Sequence, residues 1–199
     1  MLRGMVFVDH MNFDIALRGL CKSIGQEPAR LDYNTLFRGV VSKIHNVDYL
    51  KTLIFAPEPD EFLMQDTYLL GYYKWIQSLK NVKYLDVILG RYIGRPVSED
   101  IPMDIKDKRT YFKDEKGTDL NLAIHALIKA HSNSYDVAFV MSADTDYISL
   151  YRQLKTLGKI VIAVVVKGQV FGKVISEVDD FVVLDENFFS QHIRAPKRA

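Results

Sequence analysis

Four aspartates of this chain lie where strands are predicted to end or helices to begin. They are Asp9, Asp119, Asp144 and Asp146. The first directly follows the apolar residues 5–8, and the last two follow the apolar residues 137–141. If those two apolar segments are adjacent parallel strands where the winding of a sheet reverses, their carboxyl ends border one crevice. Asp119 begins a helical segment and is placed to project into the same crevice.

A divalent cation is the expected partner of such a cluster. Several carboxylates within a few ångströms cannot all stay ionised unless a cation offsets their mutual repulsion. Oxygen ligands of this kind suit Mg²⁺ or Mn²⁺. A hard cation with room left for water and phosphate is the apparatus of metal-assisted phosphodiester hydrolysis.

The elements that must position these acids alternate between strands and helices. Short apolar runs predict buried strands at residues 5–8, 53–55, 84–89, 137–141, 160–166 and 181–184. Helical spacing of apolar residues predicts helices at 13–22, 61–80, 118–130, 147–157 and 185–192. We therefore expect an α/β fold in three layers, with a mostly parallel central sheet of five to six strands and helices on both faces.

Composition limits the class of protein. The chain has 199 residues, 48% of them hydrophobic, and a net charge of +1, which together predict a globular fold rather than a disordered or strongly basic chain. The single cysteine, Cys21, excludes an intrachain disulfide. No apolar run is long enough to span a bilayer, so we expect a cytoplasmic protein without a membrane partner.

The predicted organisation is one domain over residues 1–193. A segment at about 95–116, rich in proline and mixed charge, interrupts the alternation and predicts an insertion or long loop. Residues 194–199 form a short basic tail.

Three segments resemble the signature segments of NYN domains, the PIN-like ribonuclease family, in its bacterial LabA-type branch. They are residues 7–13 (FVDHMNF), 116–123 (KGTDLNLA) and 140–147 (VMSADTDY). Residues 158–159 and 178–184 are also similar to the closing pattern of that branch. The resemblance covers about residues 4–185 and implies a three-layer PIN-like fold, a divalent metal at clustered aspartates, and cleavage of RNA to 5′-phosphate and 3′-hydroxyl ends.

The resemblance also implies roles for particular residues. Asp9 would be a metal ligand, and Asn12 would orient the site or the phosphate. Asp119 would reach the metal or its water, Asp144 would be the main acid of the fourth predicted strand, and Asp146 would lie beside it. Lys116 matches the family lysine that precedes the glycine and would contact a phosphate.

Two positions depart from the family pattern. His10 follows the first aspartate, where the family usually has a small residue, and His125 occupies a place that often carries another acid. One carboxylate fewer leaves open whether one or two metals bind. No histidine pair has the spacing of a zinc site.

Basic and aromatic residues supply candidates for RNA binding. Arg91, Arg95, Lys113 and Lys116 lie in or beside the predicted insertion and are candidate phosphate contacts. The aromatic residues Tyr68, Tyr72, Tyr73 and Trp75 have helical spacing, which favours core packing with one or two rings exposed over a base-stacking platform.

The favoured hypothesis is a divalent-metal-dependent ribonuclease with RNA as its partner. The main alternative is a catalytically weak or inactive NYN module that binds RNA or a protein, which the histidine at position 125 favours. A receiver-like signalling domain ranks low, because the third predicted strand lacks an acid at its end. A homodimer is one alternative for its assembly.

Overall fold

A computed structural model describes residues 1–194 of the chain. It contains seven strands, which are β1 Leu2–Asp9, β2 Val47–Pro59, β3 Leu85–Pro96, β4 Tyr111–Lys116, β5 Val137–Met141, β6 Ile160–Val166 and β7 Asp180–Leu184. The α-helices are α1 His10–Ser23, α2 Tyr33–Val41, α3 Thr67–Ser78, α4 Thr118–His131, α5 Ile148–Thr156, α6 Gly172–Ile175 and α7 Glu186–Ser190. Short 3₁₀ turns cover Leu63–Gln65, Leu79–Asn81 and Thr145–Tyr147.

The strands form one sheet in the order β4-β3-β2-β1-β5-β6-β7. The chain starts in the middle, builds outward through β2 and β3, and then returns to the other side of β1 with β5. All neighbouring pairs are parallel except β3 and β4, which are antiparallel. The winding therefore reverses between β1 and β5, the pair of strands that the aspartate positions had singled out.

Side chains of β1 alternate between two cores because successive residues of a strand point to opposite faces. Val6 and Val8 join a core with α1, α2, α3 and α7. Met5 and Phe7 join a second core on the other face with α4 and α5. A strand covered on both faces must be apolar at every position, which explains its uninterrupted apolar run.

The α/β class is confirmed, but the expected five to six strands are wrong. The additional strand is β4, inside the segment that we predicted as an insertion or long loop at about 95–116. Its residues pair with the end of β3, from Arg91↔Lys116 to Pro96↔Tyr111, so the connecting loop covers only residues 97–110. An edge strand needs no continuous apolar run and is commonly charged, so its sequence, YFKDEK, did not predict a strand.

The predicted helices also differ from the structure. The helix expected at 61–80 is a 3₁₀ turn followed by α3, because Asp66 ends the turn and its carboxylate accepts hydrogen bonds from the Tyr68 and Leu69 amides. Helices α2 and α6 were not predicted. Residues 195–199 of the predicted tail lie outside the described residues, and no helix of residues 1–194 is both long and apolar enough to cross a membrane.

Candidate functional site

The candidate site lies at the carboxyl ends of β1 and β5, which pair in parallel up to Val8↔Met141. Asp9 is the last residue of β1 and also the N-cap of α1, where its Oδ1 accepts the Asn12 amide at 3.1 Å. Asp144 follows β5 and caps the 3₁₀ turn, accepting the Asp146 amide at 3.0 Å. Both are aspartates at helical N-termini, where a carboxylate satisfies unpaired amides.

One tyrosine joins two of the predicted acids. The Tyr147 hydroxyl donates to Asp119 Oδ1 at 2.6 Å and lies 3.3 Å from Asp9 Oδ2. The Ser142 hydroxyl is the second donor to Asp9 Oδ2, also at 3.3 Å. Tyr147 thus connects carboxylates from β1 and from α4, whereas sequence reasoning had placed it at the end of a signature segment and the start of a helix without a role.

Burial dominates the electrostatics of Asp9. Its side chain is 6% exposed, and this burial raises the pKa of the carboxyl from 3.8 to about 6. The charges of Asp119 and Glu115 contribute to this raised pKa, whereas the hydrogen bonds from the Asn12 amide and the Ser142 hydroxyl oppose it. Burial likewise raises the pKa of Tyr147, so its hydroxyl keeps its proton and acts as a donor.

Glu115 is an acid of this site that sequence reasoning missed. It lies in β4, opposite Tyr92 of β3. Although much of the residue is exposed, surrounding groups desolvate its carboxyl and raise its pKa, and the charge of Asp119 adds to the increase. Its place directly before the signature segment that starts at Lys116 was the available signal, but nothing indicated that residues 111–116 form a strand.

Asn12 is held in one orientation. Its side-chain oxygen accepts the Ala143 amide at 3.2 Å and the Gln169 side-chain amide at 2.9 Å. Gln169 is itself fixed, because its oxygen accepts the Val166 amide at 2.8 Å. With its oxygen occupied, the Asn12 side chain has its NH₂ group left as a hydrogen-bond donor.

The structure brings some of the predicted acids closer together than others. Asp9 and Asp119 share a partner, Asp144 is half-buried in the neighbouring turn, and Asp146 is exposed. Within residues 1–194, no three or more His, Cys, Asp and Glu side chains are arranged to hold a metal ion.

The predicted basic residues lie on the β3–β4 hairpin and are exposed. Arg91 is directly opposite Lys116, so the two cations share one face of the hairpin. Lys113 lies 5.8 Å from the Tyr92 ring. Arg95 and Lys116 both contact Asp114, at 3.4 and 3.0 Å, which offsets part of their charge.

His10 and His125, the two departures from the family pattern, do not lie among the acids. His10 is fully buried, with Nδ1 2.8 Å from the Tyr72 hydroxyl and Nε2 3.1 Å from the Tyr33 hydroxyl. This burial lowers the pKa of His10 to about 4, so the ring is a neutral link between helices. His125 packs with its ring 5.8 Å from that of Phe55 in β2.

The fold and the acids at its switch point define a doubly wound α/β protein. A family model for the NYN domain matches residues 3–185, and the chain belongs to the NYN family. A crystal structure of a protein of unknown function from Vibrio parahaemolyticus is similar, with a TM-score of 0.55 and 17% identity over 94% of this chain and 95% of that chain. This likeness shows the fold alone. A search of the curated proteins gave no match.

Proposed function

We propose that this chain is a cytoplasmic, divalent-metal-dependent ribonuclease whose acids lie at the carboxyl ends of β1 and β5. The observation that carries the proposal is the buried Asp9 carboxylate, joined through Tyr147 to Asp119 at the switch point of the sheet. A buried carboxylate held beside other acids at such a crevice is stabilised by a positive partner or a shared proton. The NYN family supports a nuclease as the class of activity.

The donor set fits Mg²⁺ or Mn²⁺ in chemistry, because it consists of carboxylate, hydroxyl and amide oxygens. Asp9 and Asp119 would hold the ion, with Asp144 and Asp146 contributing from the turn after β5. When bound, a divalent ion supplies Lewis acidity and lowers the pKa of its water for attack on phosphorus.

The other groups of the site have roles that follow from their contacts. Tyr147 holds the hydrogen bond that positions Asp119 beside Asp9. Asn12 offers its NH₂ group to a phosphate oxygen, since its own oxygen is occupied. Arg91, Arg95, Lys113 and Lys116 on the hairpin would contact RNA phosphates and offset the repulsion between the acidic crevice and the RNA backbone.

A second candidate function is an NYN module that binds RNA or a protein without cutting. Two observations favour it. No group of three or more potential ligands is assembled within residues 1–194, and His125 packs against Phe55 instead of supplying an acid.

Cleavage of labelled single-stranded RNA with Mn²⁺, Mg²⁺ or EDTA separates the two functions. We expect metal-dependent cutting by the wild type, lost by about 100-fold or more in Asp119→Asn and in Asp144→Asn, since even outer partners of a metal site are worth 10- to 100-fold. The matched control is Asp48→Asn, an exposed aspartate at the opposite end of β2.

Equal cutting by wild type and both site variants would identify a contaminating nuclease and contradict the assignment. RNA binding without turnover at any metal concentration would select the binding module. His125→Asp is then the first substitution to test for gain of cutting.

A further inference from the structure

A large cavity lies on the face of the sheet that carries α1 and α3, outside the acidic crevice. Its volume is about 610 Å³, within the roughly 300–1,000 Å³ of small-molecule sites. Its walls come from α1, α3, residues 28–33 and Arg194. None of the roles assigned above uses it.

Aromatic rings line one wall. Tyr68 and Trp75 are 61% and 39% exposed, and both rings line this one cavity. Tyr33 and Tyr72 continue the wall inward, where their hydroxyls contact His10. Flat exposed rings backed by a packed cluster are a surface on which planar heterocycles stack.

Two arginines face each other on another wall. Leu31 and Ile193 form an antiparallel bridge, and the Arg194 amide donates to the Arg30 carbonyl at 2.7 Å, so the two arginines lie opposite one another. Within residues 1–194, neither guanidinium has a carboxylate partner. Like charges held opposite each other repel, and a bound anion relieves that repulsion.

The remaining charges on the wall are a pair. Arg18 is bound to Asp14 at 2.7 Å and lies 6.0 Å from the Tyr68 ring. The cavity therefore combines stacking surfaces, two cations without an ion-pair partner among residues 1–194, and one carboxylate that can accept hydrogen bonds from amino or hydroxyl groups.

Gly71 of α3 also lines the cavity. It lies within α3, where glycine costs about 0.5–1 kcal/mol relative to alanine, and a Cβ at this position would meet nothing within 4 Å. The open space beside this glycine belongs to the cavity.

We propose that this cavity binds a nucleotide, with its base stacked on Tyr68 and Trp75 and its phosphate held by Arg30 and Arg194. Tyr72 lines the cavity and also contacts His10 and Met11, which directly follow Asp9. An RNA strand passing the amino end of α1 would therefore reach both places. We expect the bound nucleotide to be part of an RNA strand and not a free nucleotide, and this expectation rests on the proposed ribonuclease function.

Trp75 is the single tryptophan of the chain, so its fluorescence reports directly on the cavity. Titration in EDTA with AMP, and separately with short oligouridine, should quench this fluorescence. A lower Kd for the oligonucleotide than for AMP assigns the site to RNA, and an equal or higher one assigns it to a free nucleotide.

Two variants test the contacts without touching the core. We expect Arg30→Ala with Arg194→Ala to raise the Kd by about tenfold or more, because a charge-assisted hydrogen bond is worth about that factor. Gly71→Leu should raise the Kd similarly by filling the cavity, without lowering the Tm. Arg152→Ala, on the opposite face, and Gly19→Leu, a glycine of α1 that also has nothing within 4 Å, are the matched controls.

The proposal would be overturned if neither AMP nor oligouridine quenches the fluorescence. It would also be overturned if wild type and Gly71→Leu bind these ligands with equal Kd. Failure of the ribonuclease function is a separate outcome, because Asp119→Asn should quench as the wild type does. In that case RNA cutting is absent while the fluorescence change persists.

Discussion

At the scale of single residues, Asp9 and His10 are consecutive and both buried, yet burial moves their pKa values in opposite directions. The pKa of Asp9 rises to about 6 and that of His10 falls to about 4, because burial disfavours the charged form of each. Asp9 therefore contributes stability that is present below about pH 4 and lost as the pH rises through 6. His10 contributes stability that is present above about pH 6.5 and lost as the pH falls through 4.

These two contributions to stability oppose each other between pH 4 and 6.5. In Asp9→Asn only the contribution of His10 should remain. We expect the free energy of unfolding of Asp9→Asn to fall by up to about 3 kcal/mol over this range on acidification, at about 1.4 kcal/mol per pKa unit. The wild type should change much less. Urea unfolding in EDTA at stepped pH measures both, with Asp48→Asn as the control. Parallel curves for wild type and Asp9→Asn would contradict the assignment.

Tyr147→Phe tests the hydroxyl between the two acids. Its removal leaves Asp9 and Asp119 without their common partner, and we expect a loss of about 1–2 kcal/mol in metal-free buffer. Added Mn²⁺ should then raise the Tm of the variant more than that of the wild type, because a cation replaces the lost donor. Tyr151→Phe is the matched control, a buried tyrosine whose hydroxyl has no hydrogen-bond partner within residues 1–194. An equal Mn²⁺ shift in Tyr147→Phe and wild type would count against a metal beside Tyr147.

At the scale of elements, the β3–β4 hairpin and the start of α4 are packed through Gly90. A Cβ at Gly90 would overlap the Thr118 hydroxyl and lie 2.8 Å from the Thr118 amide nitrogen. The next residue, Asp119, is a candidate ligand. The position of this acid therefore depends on a close approach that only glycine permits.

Gly90→Ala should lower the free energy of unfolding by about 1–3 kcal/mol, the usual cost of overpacking. It should also reduce RNA cutting in conditions where the variant is fully folded, because Asp119 is displaced. Gly19→Ala has open space around its Cβ and should be neutral or stabilising by up to about 1 kcal/mol. Equal stability of the two variants in thermal unfolding would show that the hairpin does not constrain α4.

At the scale of the whole molecule, a net charge of +1 means that any attraction for RNA is local. The exposed cations Arg91 and Lys116 lie side by side on the hairpin, near a site rich in carboxylates. Their position makes the hairpin the expected electrostatic contact with the RNA backbone.

Replacing both Arg91 and Lys116 with alanine should weaken RNA binding uniformly across sequences. The slope of log K against log salt should fall by about 1.4, since each phosphate contact to a single strand contributes about 0.7. Fluorescence anisotropy over a salt series measures this slope, and alanine at Arg152 and Lys155 of α5 serves as the matched pair. An unchanged slope would show that Arg91 and Lys116 of the hairpin do not contact RNA phosphates.

Much of the architecture could be predicted because burial on both faces requires continuous apolar strands. The strands predicted at 137–141 and 160–166 match β5 and β6 residue for residue, and the family resemblance is confirmed. Strand β4 was not predicted because an edge strand pairs with only one neighbouring strand and tolerates charged residues at most positions.

The sequence by itself determined which acids follow β1 and β5, because the end of a continuous apolar run marks where a buried strand stops. Only the tertiary structure decided which side chains meet across long separations. Tyr147 lies 138 residues from Asp9 and contacts it through the winding of the sheet. The bridge between Leu31 and Ile193 likewise brings Arg30 opposite Arg194 at the cavity. Such contacts have no local pattern, since they depend on how distant elements pack and not on the spacing of residues along the chain.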